Sequence, residues 1–190
     1  MSFARVPTST YRLQLRPSFG FAQVAECAAY LASLGVSHVY LSPVLQAAPG
    51  STHGYDVVDH TRISAELGGR AGFEAMAATL RAHGLGIILD VVPNHMAIPA
   101  PAHLNAPLWG LLKDGTTSRY AAWFDVDWEA AAGTILMPVL ATPLEQALTD
   151  GEIRLDRRGG AGADEWVVRY REHELPVRPG TEALPLEPLL

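Results

Sequence analysis

Two polar segments of this sequence combine residue types that could bind a ligand. The more specific one comprises residues 90–95, in which Asp90, Asn94 and His95 supply a carboxylate, an amide and an imidazole. It overlaps the apolar run 87–92, which is typical of a buried strand, so the polar groups fall where that strand ends. Taken singly, each residue would suit a turn or a bond to the backbone. Their combination at a strand end favours a ligand site.

The second segment, 53–60, reads His-Gly-Tyr-Asp-Val-Val-Asp-His. The Tyr55 ring could cover the apolar face of a sugar, while imidazole and carboxylate neighbours such as His53 and Asp56 bond its hydroxyls. Alone, the segment would equally suit a tyrosine that anchors a loop. It lies in a polar connection, 42–72, that is longer than most loops between a strand and a helix and is therefore a candidate functional loop.

A parallel α/β arrangement is predicted to position both segments. Strands are predicted at 10–15, 36–41 and 87–92, and apolar three- and four-residue spacing predicts helices over 21–34 and 73–83. The helical crossovers should be right-handed. Cys27, the single cysteine, falls on the first helical stripe and is interpreted as a small buried apolar side chain.

The alternation of strands and helices stops after His95, which predicts a different module from residue 98 onwards. Within it, Thr142 as cap, a proline in the first turn and Glu145 predict a short helix over 143–148 with a capping box. Segments 152–155 and 166–170 should form a hairpin around the glycine-rich stretch 159–162. The predicted domains are therefore 1–97 and 98–190.

Composition excludes several classes of function. The chain of 190 residues is 48% hydrophobic and 18% charged, with a net charge of −6, as in soluble globular proteins. A single lysine among 14 basic residues leaves no basic stripe for nucleic acid. No run of about 18 apolar residues predicts a membrane span, and a cytoplasmic location is expected. Gly84-Leu85-Gly86 precedes a strand instead of following one, so no nucleotide cofactor is expected.

The order and spacing of three segments resemble the α-amylase superfamily: 41–43, 53–56 and 90–95. Within it, nearly the whole chain is similar to the maltooligosyltrehalose synthase family, through 10–15, 35–43, 49–60, 67–69, 118–120, 124–128 and 137–140. Ala141 departs from that pattern, where a glycine is expected. The resemblance implies the first three βα units of a (β/α)8 TIM barrel in 1–97, followed by part of an inserted α+β subdomain in 98–190.

The resemblance also implies roles for five residues. His53, Tyr55 and His95 would contact the glucose beside the scissile bond, and Asp90 and Asn94 would organise the pocket floor and its loop. The carboxylate nucleophile and the carboxylic acid of this retaining chemistry are expected beyond Leu190, so the chain alone should be inactive. The acidic residues of the second module are interpreted as a hydrated turn and not as catalytic groups: Asp125, Asp127 and Glu129.

The implied reaction is an intramolecular transglucosylation. It converts the reducing-end α-1,4 link of a maltooligosaccharide into an α,α-1,1 link, with a maltooligosyltrehalose trehalohydrolase as the pathway partner. Three alternatives stay open: another α-glucan hydrolase or transferase of the superfamily, a glucan-binding remnant without turnover, and a metal site. The metal site would use His53, His60 and His95 with Asp56 or Asp90, although no compact pair of histidines four residues apart supports it.

Overall fold

The computed structural model describes residues 6–130, 132–159 and 165–181. The chain divides into two compact units, Met1–Ala97 and Ile98–Leu190. Residues 160–162 of the predicted hairpin loop lie outside the described ranges. Within those ranges, every helix is too short or too polar to cross a membrane.

In its described part, residues 6–97, the first unit contains five strands and three α-helices. The strands are β1 Thr10–Leu13, β2 His38–Leu41, β3 Leu45–Ala47, β4 Val57–Ile63 and β5 Gly86–Leu89, and the helices are α1 Phe21–Glu26, α2 Ala28–Ser33 and α3 Gly69–Ala82. β1, β2 and β5 form a parallel sheet with β2 in the centre. The three predicted strands are thus confirmed, each shorter than its predicted range.

The register of this sheet places polar residues of neighbouring strands side by side. Arg12 of β1 pairs with Tyr40 of β2, which pairs with Ile88 of β5. The amide of Asp90, two residues past Ile88, donates to the carbonyl of Leu41 at 2.9 Å. Side chains two residues apart along a strand share a face, so Asp90 emerges on the same face as Ile88.

Three predictions for the first unit are wrong. The single helix expected over 21–34 is divided at Cys27, whose amide bonds to the carbonyls of both Gln23 and Val24. The Cys27 side chain is half-buried, and not buried as its place on the apolar stripe suggested. The connection 42–72 is not one long loop either, because β3 and β4 pair antiparallel within it with irregular register.

The core of the first unit lies between the sheet and the helices. Phe21, in α1, is fully buried and meets Phe73 of α3 edge to face, with 5.5 Å between ring centroids. The other buried members are aliphatic side chains and one methionine: Leu15, Val24, Ala28, Leu31, Val39, Leu41, Val44, Leu67, Met76, Leu80 and Leu85. The apolar stripes that predicted the helices therefore face the sheet.

The second unit contains α4 Ala106–Asp114, α5 Leu144–Thr149, β6 Ile153–Arg158, β7 Glu165–Tyr170 and β8 His173–Pro176. The three strands form an antiparallel sheet in the order β6-β7-β8, so the predicted hairpin is present and carries a third strand. α4 was not predicted, although Asn105 caps it through the amide of Leu108 at 3.0 Å.

The predicted cap of the short helix is wrong by one residue. Pro143 precedes α5 as its cap residue and makes no side-chain cap bond. The Thr142 hydroxyl is buried and has no hydrogen-bond partner among the described residues. The capping box expected from Thr142 and Glu145 is therefore not formed.

Ion pairs cross the second sheet between adjacent strands. Arg169 lies opposite Glu174, and their side chains approach to 3.0 Å. A further ion pair joins this sheet to α4, with Nζ of Lys113 2.6 Å from Oε1 of Glu165. The apolar side of this unit is built on α4, with Leu108 and Leu111 buried against partly buried aromatic side chains: Trp109, Phe124 and Trp128.

Candidate functional site

Tyr55 and Asp90, which the sequence places 35 residues apart, are in direct contact. The Tyr55 hydroxyl donates a short hydrogen bond to Oδ2 of Asp90. The Tyr40 hydroxyl donates to the same oxygen at 3.2 Å. Asp90 follows β5, and its side chain is only 16% exposed. Both phenols thus bond to Oδ2, and neither bonds to the other carboxylate oxygen, Oδ1.

Three residues that sequence reasoning missed complete this network: Arg12, Gln14 and Tyr40. The Arg12 guanidinium donates through Nη2 to the Tyr55 hydroxyl at 3.1 Å and through Nη1 to Oε1 of Gln14 at 3.0 Å. Nη2 also lies 3.9 Å from Oδ2 of Asp90. Arg12 lies on β1 and Gln14 directly follows its last residue, and this spacing of two residues was the available signal that both share a face.

The electrostatics of the network favour a protonated phenol and a charged guanidinium. Hydrogen bonding to Asp90 raises the pKa of the Tyr55 phenol, and the hydrogen bond from Arg12 partly opposes that rise. The hydrogen bond to Tyr55 raises the pKa of Arg12, against the effect of burial. At neutral pH, Tyr55 therefore accepts from Arg12 and donates to Asp90.

His53 is held beside Tyr55 with a defined tautomer. Its Nδ1 accepts the backbone N–H of Tyr55 at 3.1 Å, and the two rings are stacked with 6.1 Å between centroids. Oδ1 of Asp56 lies 3.6 Å from the same nitrogen, beyond hydrogen-bond reach. An accepting Nδ1 leaves the proton of the neutral ring on Nε2. The His53 side chain is 53% exposed, so Nε2–H can donate to a ligand.

The turn that presents His53 and Tyr55 depends on Gly54. Its backbone has φ +78°, and a Cβ placed there would lie 2.8 Å from the carbonyl oxygen of Pro43. The Gly54 amide donates to the Ser51 hydroxyl at 3.0 Å, and that hydroxyl donates to Asp56. Only glycine combines this backbone conformation with so close an approach.

The loop after β5 is attached to β4. His60 bonds through Nε2 to the carbonyl of Val92 at 2.8 Å, and the Ala97 amide donates to the carbonyl of Val57 at 2.8 Å. Asn94 and His95 are exposed in this loop. Within the described ranges, no side-chain contact joins either of them to Tyr55 or Asp90. The structure thus brings together three of the five predicted site residues, His53, Tyr55 and Asp90.

The arrangement supports ligand binding better than metal binding. It offers a ring face, a directed imidazole donor and a carboxylate, which are the groups that orient a hydroxylated ring. In the part of the chain that the structure describes, no three His, Cys, Asp or Glu side chains are grouped to hold a metal ion. Away from this site, Oδ1 of Asp127 accepts the Ala130 amide at 2.9 Å, as a residue in a turn does.

Comparison with known families assigns the chain to one of them. A family model described as Alpha amylase, catalytic domain, matches residues 21–125, which is more than half of the 190 residues. The chain belongs to the α-amylase family. The matched range includes both polar segments of the site, 53–60 and 90–95.

Relatives within the α-amylase family include maltooligosyltrehalose synthases. A putative maltooligosyl trehalose synthase of Mycobacterium tuberculosis (strain H37Rv) is 42% identical over 178 residues, which are 91% of this chain and 22% of that protein. The solved structure of maltooligosyltrehalose synthase from Arthrobacter ramosus is 39% identical with a TM-score of 0.81, covering 92% of this chain and 22% of that one. The resemblance inferred from the sequence is confirmed.

An intracellular maltogenic amylase of Bacillus subtilis (strain 168) is 33% identical over 121 residues, which are 60% of this chain and 19% of that protein. This α-amylase family chain thus spans about a fifth of the length of these three relatives.

Proposed function

We propose that this chain supplies sugar-binding loops of an α-amylase family enzyme that acts on α-1,4-linked glucans. The contact between Tyr55 and Asp90 carries the proposal, because it brings both polar segments together beside the parallel sheet. The ends of parallel α/β barrel strands are where such enzymes bind their substrates.

In this proposal each residue has a distinct role. Tyr55 stacks on the apolar face of a glucose ring. His53 donates from Nε2 to a sugar hydroxyl, and Asp90 accepts another hydroxyl through Oδ1. Asn94 and His95 would reach the sugar from the loop that His60 attaches to β4. All five act by binding and orienting the substrate, which lowers the barrier by proximity.

We further propose that the reaction is the isomerisation of the reducing-end α-1,4 link to an α,α-1,1 link. The 42% identity to a putative maltooligosyl trehalose synthase supports this choice over other α-glucan chemistries. A nucleophilic carboxylate would form a covalent glycosyl-enzyme, and the freed glucose would attack it through its own anomeric hydroxyl. The carboxylate pair is proposed to lie outside this chain. A trehalohydrolase acting on the product would be the pathway partner.

The proposed fold follows from the same family. Residues 1–97 would form the first three βα units of a (β/α)8 barrel, and residues 98–190 would belong to a subdomain inserted after the third strand. The parallel order β1-β2-β5 supports the first part. The antiparallel sheet β6-β7-β8 is consistent with a separate subdomain.

The first test measures binding of maltoheptaose to this chain by calorimetry. We expect the parent chain to bind maltoheptaose and the Asp90→Asn variant to bind it more weakly. Retention of the parent affinity in that variant would contradict the assigned site, and absence of binding by the folded parent chain would contradict the proposal.

The second test first sequences the encoding DNA past the codon for residue 190. The products formed by the protein that this DNA encodes are then analysed. A longer enzyme of the proposed kind would remove reducing ends from maltopentaose without shortening it, and the product would show an α,α-1,1 anomeric signal. A rise in reducing ends would instead identify a hydrolase. Binding without any product would identify a glucan-binding remnant.

A further inference from the structure

We propose that Arg12 is a positioning residue of the candidate glucan site, whose guanidinium fixes the Tyr55 hydroxyl against Asp90 and so sets the ring plane offered to the sugar. The inference rests on the proposed function for its ligand, but not for the contact that it assigns. Arg12 touches neither the sugar nor the reacting bond in this assignment. It acts through Tyr55.

Arg12 is itself held by two contacts besides that with Tyr55. Nη1 donates to Gln14, and the guanidinium carbon lies 5.5 Å from the centroid of the Tyr40 ring. Gln14 in turn donates to the backbone carbonyls of His53 and Leu15, at 3.2 and 3.3 Å. Since a planar guanidinium donates in fixed directions, these contacts determine where Nη2 points.

Tyr55 needs such a partner, because the loop around it is exposed. The hydroxyl has one proton, and Asp90 accepts it. A single hydrogen bond leaves the ring free to swing about the O–H axis, whereas a second bond from Arg12 to the same oxygen restricts that motion. The Arg12 guanidinium also lies 3.9 Å from Oδ2 of Asp90. Its positive charge therefore stabilises the negative charge of the carboxylate to which both phenols donate.

A lysine at position 12 could not position Tyr55 in the same way. Its single ammonium can reach either the Tyr55 hydroxyl or Gln14, whereas the fork of arginine bonds both at once. The β1 segment would then keep its charge but lose the connection between Tyr55 and the Gln14 contact to the His53 carbonyl. Arg12→Lys therefore keeps the positive charge at this position while removing the two-pronged hydrogen-bond geometry of arginine.

The ligand-free test uses the full chain labelled with 3-fluorotyrosine. The Tyr55 fluorine resonance, assigned by its loss in Tyr55→Phe, should shift and change width in Arg12→Gln and in Arg12→Lys. Arg70→Gln is the matched control, because Arg70 makes only an exposed ion pair with Glu74 on α3. An unchanged Tyr55 resonance in Arg12→Gln would overturn the inference whether or not a glucan binds.

The ligand test is a double-mutant cycle on maltoheptaose affinity. Arg12→Gln should weaken binding by roughly fivefold, the size expected for the loss of one ordinary hydrogen bond. The same change in a Tyr55→Phe background should have almost no effect, because the partner hydroxyl is gone. Equal, additive losses in both backgrounds would mean that Arg12 does not act through Tyr55.

The two tests separate the inference from the proposed function. A Tyr55 resonance that depends on Arg12, with no glucan binding by the parent chain, would support the positioning role and reject the glucan ligand. Glucan binding that weakens in Tyr55→Phe but is insensitive to Arg12 would support the ligand and reject the positioning role.

Discussion

At the residue scale, the site depends on which atom of each polar group is already occupied. Asp90 accepts both phenols through Oδ2, so Oδ1 is the oxygen that we propose for the sugar. His53 accepts through Nδ1, so Nε2 is its donor. The sequence indicates the residue types, but only the folded turn decides which atoms remain for binding.

Removing the Tyr55 hydroxyl should weaken glucan binding. Tyr55→Phe keeps the ring for stacking but loses the bonds to Arg12 and Asp90 that fix it. We expect the dissociation constant for maltoheptaose to rise by about tenfold, the value of one to two hydrogen bonds. Calorimetry measures it, with Tyr30→Phe as control, because Tyr30 is exposed on α2. An unchanged affinity in Tyr55→Phe would contradict the proposed role.

The donor role of His53 can be separated from its structural role. His53→Asn keeps an acceptor near the position of Nδ1, and His53→Gln can place an N–H near that of Nε2. If Nε2–H bonds the sugar, His53→Asn should lose about tenfold in affinity and His53→Gln about twofold. The reverse order would show that the contact with the Tyr55 amide matters more than the donor.

At the element scale, the residue pattern predicted β1, β2, β5 and α3, which all contribute apolar side chains to one core. The same signal could not reveal β3 and β4. β3 has three residues, and β4 carries four consecutive polar residues, 59–62. Both polar site segments were identified from the chain, but Arg12 and Tyr40 were not, because strand register determines their contacts and no local pattern encodes register.

α4 had a usable local signal. Asn105, Pro107 and the leucines that follow form a helix start with a capping residue and a proline in the first turn. The alanines and prolines that precede it concealed that signal. The cap of α5 shows the opposite error, in which a well-formed capping box in the sequence is not used by the fold.

The turn at Gly54 should be intolerant of a side chain. Gly54→Ala adds a Cβ in a left-handed conformation and against the Pro43 carbonyl, so we expect a loss of about 3 kcal/mol in the free energy of unfolding. Gly50 has φ +77° but open space around it, and Gly50→Ala should cost only about 1 kcal/mol. Urea denaturation followed by far-UV circular dichroism compares them. Equal losses would show that the close approach to Pro43 is unimportant.

At the scale of the whole molecule, the chain has two cores of different construction. The first is aliphatic and lies against a parallel sheet, whereas the second is built from α4, loop aromatics and a charged antiparallel sheet. All four tryptophans belong to the second unit: Trp109, Trp123, Trp128 and Trp166. Tryptophan fluorescence therefore reports on that unit alone.

His103 makes the stability of the second unit depend on pH. Burial lowers the pKa of His103, and the nearby charge of Arg158 adds to that effect, while Glu174 and Glu165 oppose it. The unfolded chain, with a histidine pKa of 6.5, then binds a proton more readily than the folded unit. The stabilisation is present above pH 6.5 and is lost as the pH falls from there through the lower folded value.

Urea midpoints from tryptophan fluorescence at pH 7.5 and pH 5.5 should therefore differ, with the lower midpoint at pH 5.5. His103→Gln removes the titrating group and should reduce this difference. His83→Gln, in the first unit at the end of α3, should leave it unchanged. If His103→Gln keeps the full pH dependence of the parent chain, the carboxylates of the second sheet, and not His103, set the acid sensitivity of this unit.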